Sequence, residues 1–567
     1  MKKSIKILGI NSSGFNTSAS LIIDGKVLFA VEEERLIREK RTRKFPTQSI
    51  NLILNKFKLK LTDIDYVAVG WNPAINLEAG NNAHNQGQAR FLGEIFYNVA
   101  NPLINLTSGD SEFSEQIIHF KKNKIHIFFI KHHFAHSAAF FLSKFKKSSI
   151  LSIDAFGEKE CCHYGVGESG KIRKLYSQEF PHSLGSFYSS FTSFLGFKAQ
   201  SDEWKLMGAS AYGKSLNYAK KLKKIIYPVK KGFELDLSFF NHFQFHRPGL
   251  FTKKLEEFLG IKANLFGKPL TQEYYDLAAS VQFIFEEIIF HLLQNLYNKT
   301  KIPNLVFSGG CALNCLLNGK ITRNSNFDHI FVPPFPDDSG VGIGAALYLH
   351  HNILNKKKRF TLEHNYLGPS YENKTIENFL KSYKISFKKL NDKYDVASES
   401  LKNGKIIAWF QGGLEFGDRS LGNRSILADP RDPKMKDKVN KLIKYREHFR
   451  PFAPAILKEF QTEFFHYSED TQYMERVFIV KENKRHFIPS VTHNDGTARL
   501  QTVKMENNLS FYKLINSFYK KTGIPILLNT SFNLRGEPMV CSPNDAIKTF
   551  HNSGLDELYL GDYLIHK

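Results

Sequence analysis

Cysteine is scarce in this chain: five in 567 residues, at positions 161, 162, 311, 315 and 541. An odd, sparse set without framework spacing excludes a disulfide scaffold and points to a reducing, cytoplasmic compartment. Cys311 and Cys315 stand four apart with no second pair nearby, which argues against a zinc site. Long apolar runs are also missing. Stretches such as IHIFFI are too short to span a bilayer, and MKKSIKILGINSSG has lysines but no apolar run of signal-peptide length. A soluble protein without a membrane partner is expected. Acidic residues are the minority, 55 against 78 Lys and Arg, for a formal charge of +23. That balance suits anionic substrates, nucleic acid or an acidic surface. The lysines, however, are scattered singly or in short pairs with no aromatic-basic platform, which argues against nucleic acid.

What is present is ample core material, 42% hydrophobic and 14% aromatic, in a chain long enough for two to four domains. The stretch 131–158, KHHFAHSAAFFLSKFKKSSILSIDAFGE, carries the clearest chemistry. Its composition predicts a helix from the histidines onward, so His132 and His136 share one face a turn apart. A strand, SSILSID, then delivers Asp154 at a glycine-containing turn. Two imidazoles and a carboxylate make a compact divalent-metal site with open positions. On spacing alone, half-exposed helix histidines beside a structural Asp is an equal reading.

A repeat organises the first part of the chain. Residues 4–35 read as strand, turn and hairpin across Asp24-Gly25, and residues 148–179 repeat the plan across Ser169-Gly170. A doubled strand-hairpin unit is what an α/β fold of the actin/Hsp70/sugar-kinase type requires, with Asn11 and Asp154 at equivalent points. Residues 77–88, rich in Gly and Asn, read as a loop. Residues 270–300 have the best helical periodicity, in a packing role. NLVFSGGCALN then puts Ser308, Gly309 and Gly310 between a strand and a helix, a recipe for phosphate or ribose, though a Gly-Gly turn alone is weak evidence. Asp338 supplies a second carboxylate at a strand-to-helix junction. Residues 351–364 read as a linker, with a domain boundary near 360. Beyond it, four Arg motifs lie near Gly, Ser and Asn, a pattern that favours oxyanion binding over a random basic face.

Ten motifs carry a resemblance: VEEER, HHFAH, SIDAFGE, LMGASAYG, SGGCALN, DDSGVGIGAA, QGGLEFGDRSLGNRSILADPR, REHFRPFAP, DGTARLQTV and LNTSFNLRGEP. With them the whole chain resembles the NodU/CmcH/TobZ family of O-carbamoyltransferases. The resemblance implies a Kae-like, actin/Hsp70-fold transfer domain over 1–360 and a YrdC-like domain over 361–567. The latter would form carbamoyl adenylate from carbamoyl phosphate and ATP, with Mg(II) accompanying the ATP. The former would pass the carbamoyl group to a hydroxyl of a small acceptor, a natural product or sugar. The family's metal ligands fall on His132, His136, Asp154 and Asp338, with Fe(II) implied. Gly309, Gly310 and Asn314 would lie along the nucleotide. Lys444, Arg450, Arg499, Asn529 and Ser531 would take carbamoyl phosphate, with Arg419 and Arg424 near ATP or phosphate. Two departures stand out. The family's Gly-His-Asp is here Gly14-Phe15-Asn16, removing a candidate base for the acceptor hydroxyl, since Phe takes no proton. Asp418-Arg419-Ser420 replaces Pro-Arg-Ala. The alternatives are a tRNA-directed carbamoylating enzyme and a nucleotide-binding protein impaired in transfer.

Overall fold

The apolar runs ILGIN and ILSID become the central strands of two sheets. The computed structural model describes residues 4–12, 14, 16–72, 112–120, 123–244, 249–447, 449–450 and 452–567. Phe15 and the stretch 77–88 lie outside the described residues. In the first sheet β1 (Lys6–Asn11) pairs antiparallel with β2 (Ser18–Ile23), which pairs antiparallel with β3 (Lys26–Glu32). Positive φ at both Asp24 and Gly25 gives the hairpin turn whose twist suits the strands. On its other side β1 runs parallel to β4 (Tyr66–Val69), and β4 parallel to β6 (Asn123–Ile130). An edge strand, β5 (Phe113–Phe120), completes the order β3-β2-β1-β4-β6-β5.

The second sheet repeats this plan. β7 (Lys147–Ile153), β8 (Glu160–Glu168) and β9 (Lys171–Glu179) form the antiparallel meander. A separate hairpin of β10 (Ile226–Val229) and β11 (Gly232–Leu235) follows in the chain. β12 (Asn304–Ser308) and β13 (His329–Phe331) then extend the sheet in parallel, in the order β13-β12-β7-β8-β9. Five strands in the same order, each time with the second antiparallel, form the duplicated actin/Hsp70-like α/β architecture that the repeat predicts.

The chain divides into two compact units, Met1–Glu33 with Arg41–Leu362, and Glu34–Lys40 with Glu363–Lys567. The second unit is built on a single sheet of nine strands. Those used below are β16 (Arg424–Ala428), β19 (Thr497–Val503) and β20 (Ile526–Ser531). Its apolar core includes Trp409, Phe410, Ile426, Leu528 and Tyr559, all at most 1% exposed. The segment Glu34–Lys40 belongs to this unit by its bonds: Arg35 donates to Gly417 O at 3.0 Å, and Arg38 to Met539 O and Pro538 O.

Two expectations change. The histidine segment is helical only over His132–Ser137 and tightens to a 3₁₀ turn over Ala138–Leu142. The stretch read as a linker is anchored rather than loose: Arg359 donates to the carbonyls of Phe140, Ser143 and Phe145 and stacks 4.1 Å from the Phe140 ring centroid. One half-buried arginine ties it to the preceding 3₁₀ turn.

Candidate metal centre and anion site

The first unit gathers four donors at the carboxyl ends of its strands. His132 and His136 follow β6, Asp154 follows β7, and Asp338 opens a turn after β13. One ligand atom from each lies within 4.8 Å of all the others. The Nε2 atoms of His132 and His136 are 3.0 Å apart. His136 Nε2 stands 3.0 Å from Asp154 Oδ2 and 3.8 Å from Asp338 Oδ1, and His132 Nε2 stands 3.6 and 3.5 Å from the same atoms. Ligands held about 2.1 Å from one ion are about 3.0 Å apart at right angles and about 3.4 Å apart in a tetrahedron. The spacings fit a single ion. Both imidazoles are nearly closed to solvent, whereas the Asp154 and Asp338 side chains are 15% and 28% exposed, so access is from the carboxylate side.

Local structure explains the aim of these groups. His132 Nδ1 lies 3.2 Å from the Gly70 carbonyl; with Nδ1–H donating there, Nε2 is left bare for an ion. The His132 backbone N–H donates to both oxygens of buried Glu158, at 3.0 and 3.1 Å, and Glu158 also accepts from Asn72 N at 2.6 Å. SIDAFGE contains Glu158, but only the fold reveals it as the anchor of the histidine helix. Asp338 is brought in by close glycine packing. An added Cβ at Gly342 would meet Ile10 C at 2.9 Å, and one at Gly344 would meet the Ala135 carbonyl oxygen at 2.0 Å. The Val341–Tyr348 helix therefore lies directly on β1 and the histidine helix.

The electrostatics are those of a site waiting for positive charge. Burial pushes His132 and His136 down, but the Asp154 and Asp338 carboxylates outweigh it and raise both. Burial raises the two carboxylates, and the imidazoles hold Asp154 well below and Asp338 below the usual range. Neighbouring His133 takes no part: burial and His132 push it down to about 3.

Of the residues expected along a nucleotide, Gly310 lies against the cluster and Gly309 against the end of β7. Gly309 adopts φ 86°, and a Cβ there would stand 2.2 Å from the Ile153 carbonyl oxygen. A Cβ at Gly310 would stand 2.8 Å from Asp154 Oδ1. Asn314 differs from expectation. Its Oδ1 caps the Cys315–Asn324 helix at Leu317 N and accepts from Gln282 Nε2, while its Nδ2 donates to Gln282 Oε1 at 2.9 Å. Helix capping occupies it.

The second unit concentrates cations. Lys444 Nζ donates to Ser531 O at 2.5 Å, Asn533 O at 3.0 Å and Asn533 Oδ1 at 2.8 Å, and lies 3.4 Å from Ser531 Oγ. Burial, then Arg446, Arg450 and Lys40, hold its ammonium well below the usual lysine range. Arg446 is likewise pushed well down by burial, then by Arg450 and Arg499. It donates from Nε to Asn440 Oδ1 at 2.9 Å and lies 4.2 Å from the Phe452 ring centroid. Arg450 Nη1 is 3.6 Å from Glu447 Oε2, and Arg499 lies on β19. Cations that depress one another make a pocket suited to an anion. Asn529 Nδ2 donates to Gln501 Oε1 at 2.9 Å and Ser420 O at 3.2 Å, and half-buried Arg419 precedes Ser420 in the chain. Sequence reading passed over Arg446, although REHFRPFAP displays it two residues after Lys444.

Arg424 stands apart. It is fully buried at the start of β16 and donates to the carbonyls of Gln411, Gly412, Asn423 and Pro369, with its guanidinium carbon 3.6 Å from the Phe410 ring centroid. Those bonds make it a strut of the turn, with Nε left as its donor without a partner.

A duplicated actin/Hsp70-like unit with a metal-capable cluster, joined to an α/β unit with crowded cations, defines a two-unit group-transfer enzyme. The chain belongs to the carbamoyltransferase family: residues 6–347 match the carbamoyltransferase N-terminus and residues 398–567 the carbamoyltransferase C-terminus. It is 36% identical to nodulation protein NolNO of Sinorhizobium fredii over 97% of this chain and 78% of that protein. An uncharacterized protein of Synechocystis sp. is 34% identical over 99% of this chain and 96% of its own length. Among solved structures, T. kodakarensis HypF aligns over 62% of this chain and 48% of its own at 11% identity and a TM-score of 0.31. The fold assignment rests on strand order instead. Among the described residues no helix is long and apolar enough to cross a membrane.

Proposed function

We propose that this carbamoyltransferase makes carbamoyl adenylate in the second unit and transfers the carbamoyl group to an acceptor hydroxyl in the first. The buried crowding of Lys444 by Arg446, Arg450 and Lys40, and of Arg446 by Arg450 and Arg499, carries the reading, because such a cluster is relieved by a phosphorylated donor. Water would bond the phosphorus of carbamoyl phosphate and release phosphate and carbamate, the carbamate oxygen would then bond the α-phosphorus of ATP, and pyrophosphate would leave. Arg450, Arg499 and Lys444 would offset charge on the phosphate oxygens as that bond forms, with Asn529 and Ser531 orienting the donor and Mg(II) accompanying ATP. In the first unit, Gly309 and Gly310 give the nucleotide close backbone approach. His132, His136, Asp154 and Asp338 would hold a divalent ion. Mixed imidazole and carboxylate donors with open positions suit Fe(II), and when bound the ion supplies Lewis-acid charge for the carbamoyl carbonyl or the adenylate phosphate. The acceptor oxygen would bond the carbamoyl carbon as AMP leaves, and the hydroxyl proton would pass to the departing AMP phosphate, since Phe15 cannot take it. The reaction is read as cytoplasmic.

The two half-reactions separate the sites. Arg499→Ala should slow adenylate formation by about 10- to 100-fold, the worth of one charge-assisted contact, yet transfer carbamoyl from preformed carbamoyl adenylate normally. His136→Ala should lose bound metal and transfer while still forming adenylate. A folded Arg499→Ala protein equally inactive with preformed adenylate would sink the division.

A further inference from the structure

The segment Glu34–Lys40 forms a strap within the second unit, fastened there by several of its side chains. Leu36 packs against Leu414, Met539 and Cys541. The bond from Arg35 to Gly417 O ties the strap to the loop that carries Arg419. Arg38 donates to Met539 O at 2.6 Å and Pro538 O at 2.8 Å, and its Nε stands 3.7 Å from Asp545 Oδ1. The Arg38 backbone is held left-handed at φ 60°. That conformation is uncommon for a residue with a side chain and persists where surrounding contacts over-determine it.

The turn that Arg38 grips is also the turn that holds Lys444. Lys444 Nζ donates to Asn533 O and Asn533 Oδ1. Asn533 Nδ2 in turn donates to Glu537 O at 2.7 Å, and Pro538 follows directly. Residues 533–539 are therefore tied to Lys444 at one end and to Arg38 at the other. Lys40 stands two residues beyond Arg38, and its side chain is exposed. Two residues of chain span at most about 7 Å, which confines Lys40 to the neighbourhood of this turn. Its charge is felt at the cation cluster, where burial, Arg446, Arg450 and then Lys40 depress Lys444. Like charges gathered in this way repel, and a phosphate dianion offsets the repulsion. An exposed lysine also keeps a flexible stem that can follow a bound anion, which buried Lys444 lacks.

We infer that Lys40 is a further phosphate-binding residue of the second unit, and that Arg38 is the positioning residue that holds it there. That the phosphate is the one on carbamoyl phosphate rests on the carbamoyl-transfer reading above. The test uses the full chain, with calorimetric binding of inorganic phosphate beside steady-state kinetics of adenylate formation. Lys40→Gln should weaken phosphate about fivefold or more and raise the KM for carbamoyl phosphate by a similar factor. The KM for ATP should stay within about twofold of wild type, because the lost charge serves the other substrate. Lys40→Arg should restore most of both losses. Arg38→Met should reproduce the Lys40→Gln defect, and the double variant should be no worse than Arg38→Met alone, since a released strap has no Lys40 contact left to lose. A Lys40→Gln chain that binds phosphate like wild type, no rescue by Lys40→Arg, or an effect confined to the KM for ATP each overturns the inference. So do additive losses in the double variant, or a wild-type chain that binds no phosphate. A wild-type chain that binds phosphate but forms no adenylate would count against the carbamoyl-transfer reading instead, and the phosphate measurements would still decide Lys40.

Discussion

At the scale of single residues, Asn16 shows why a departure from a family pattern need not be reversible. It sits in the left-handed region at φ 56°, which Asn tolerates, and its Nδ2 donates to Asp337 Oδ2 at 3.0 Å. The other Asp337 oxygen already accepts from Ser339 Oγ at 2.6 Å. Asn16→Asp would set two carboxylates face to face, so we expect it to cost roughly 1–3 kcal/mol near neutral pH. The like charge raises the folded pKa of the pair above its unfolded value, so the loss shrinks as pH falls and one proton is shared. Thermal unfolding at pH 8 and pH 5 checks this, and a variant as stable as wild type at pH 8 would deny the contact. His163 provides the opposite acid response. Ser137 Oγ donates to His133 O, leaving His163 Nδ1–H to donate to Ser137 Oγ at 2.8 Å, and burial pushes the imidazole down to about 4. The unfolded chain takes up this proton near pH 6.5 and the folded one only near pH 4. Stability should therefore be undiminished above 6.5 and fall as pH drops to 4, by on the order of 2–3 kcal/mol for this residue. His163→Asn should flatten that part of the stability–pH curve.

At the scale of elements, the decisive contact is that of the Val341–Tyr348 helix on the histidine helix. Gly344→Ala would drive a methyl group into the Ala135 backbone, where no flexible side chain can yield. We expect a loss of roughly 1–3 kcal/mol, together with weaker metal retention, because the shift separates Asp338 from His136. Metal content per chain, measured after dialysis against a weak chelator, reads the second effect independently of stability. An alanine variant that keeps its full metal content would show that Asp338 is placed by something other than this packing.

At the scale of the whole molecule, each unit has its own core, so two thermal transitions are expected in calorimetry. A ligand that binds only one folded unit stabilises that unit by mass action. Added Fe(II) or Mn(II) under anaerobic conditions should raise one transition, and His136→Ala should abolish that rise without moving the other. A single transition, shifted by metal as a whole, would show that the units unfold together.

Much of this was written into local sequence. The ILGIN and ILSID repeats with their Asp24-Gly25 and Ser169-Gly170 turns determined the duplicated strand order, because alternation and turn chemistry act over a few residues. The four-residue spacing of His132 and His136 determined a shared face, whose ring centroids stand 4.5 Å apart. Tertiary structure decided the rest. Asp338 lies 184 positions beyond Asp154 in the chain, and the packing of Gly342 and Gly344 on distant backbone, with the bonds of Asn16 to Asp337 and Ser18 to Ser339 O, brings it within reach. Arg424 and Arg450 look alike in sequence, but one is enclosed by carbonyls and the other lies among cations, since a guanidinium serves as strut or anion ligand according to what surrounds it. Asn314 became a cap for the same reason. A side chain's chemistry is local, but the partners that spend it or leave it open come from distant parts of the chain.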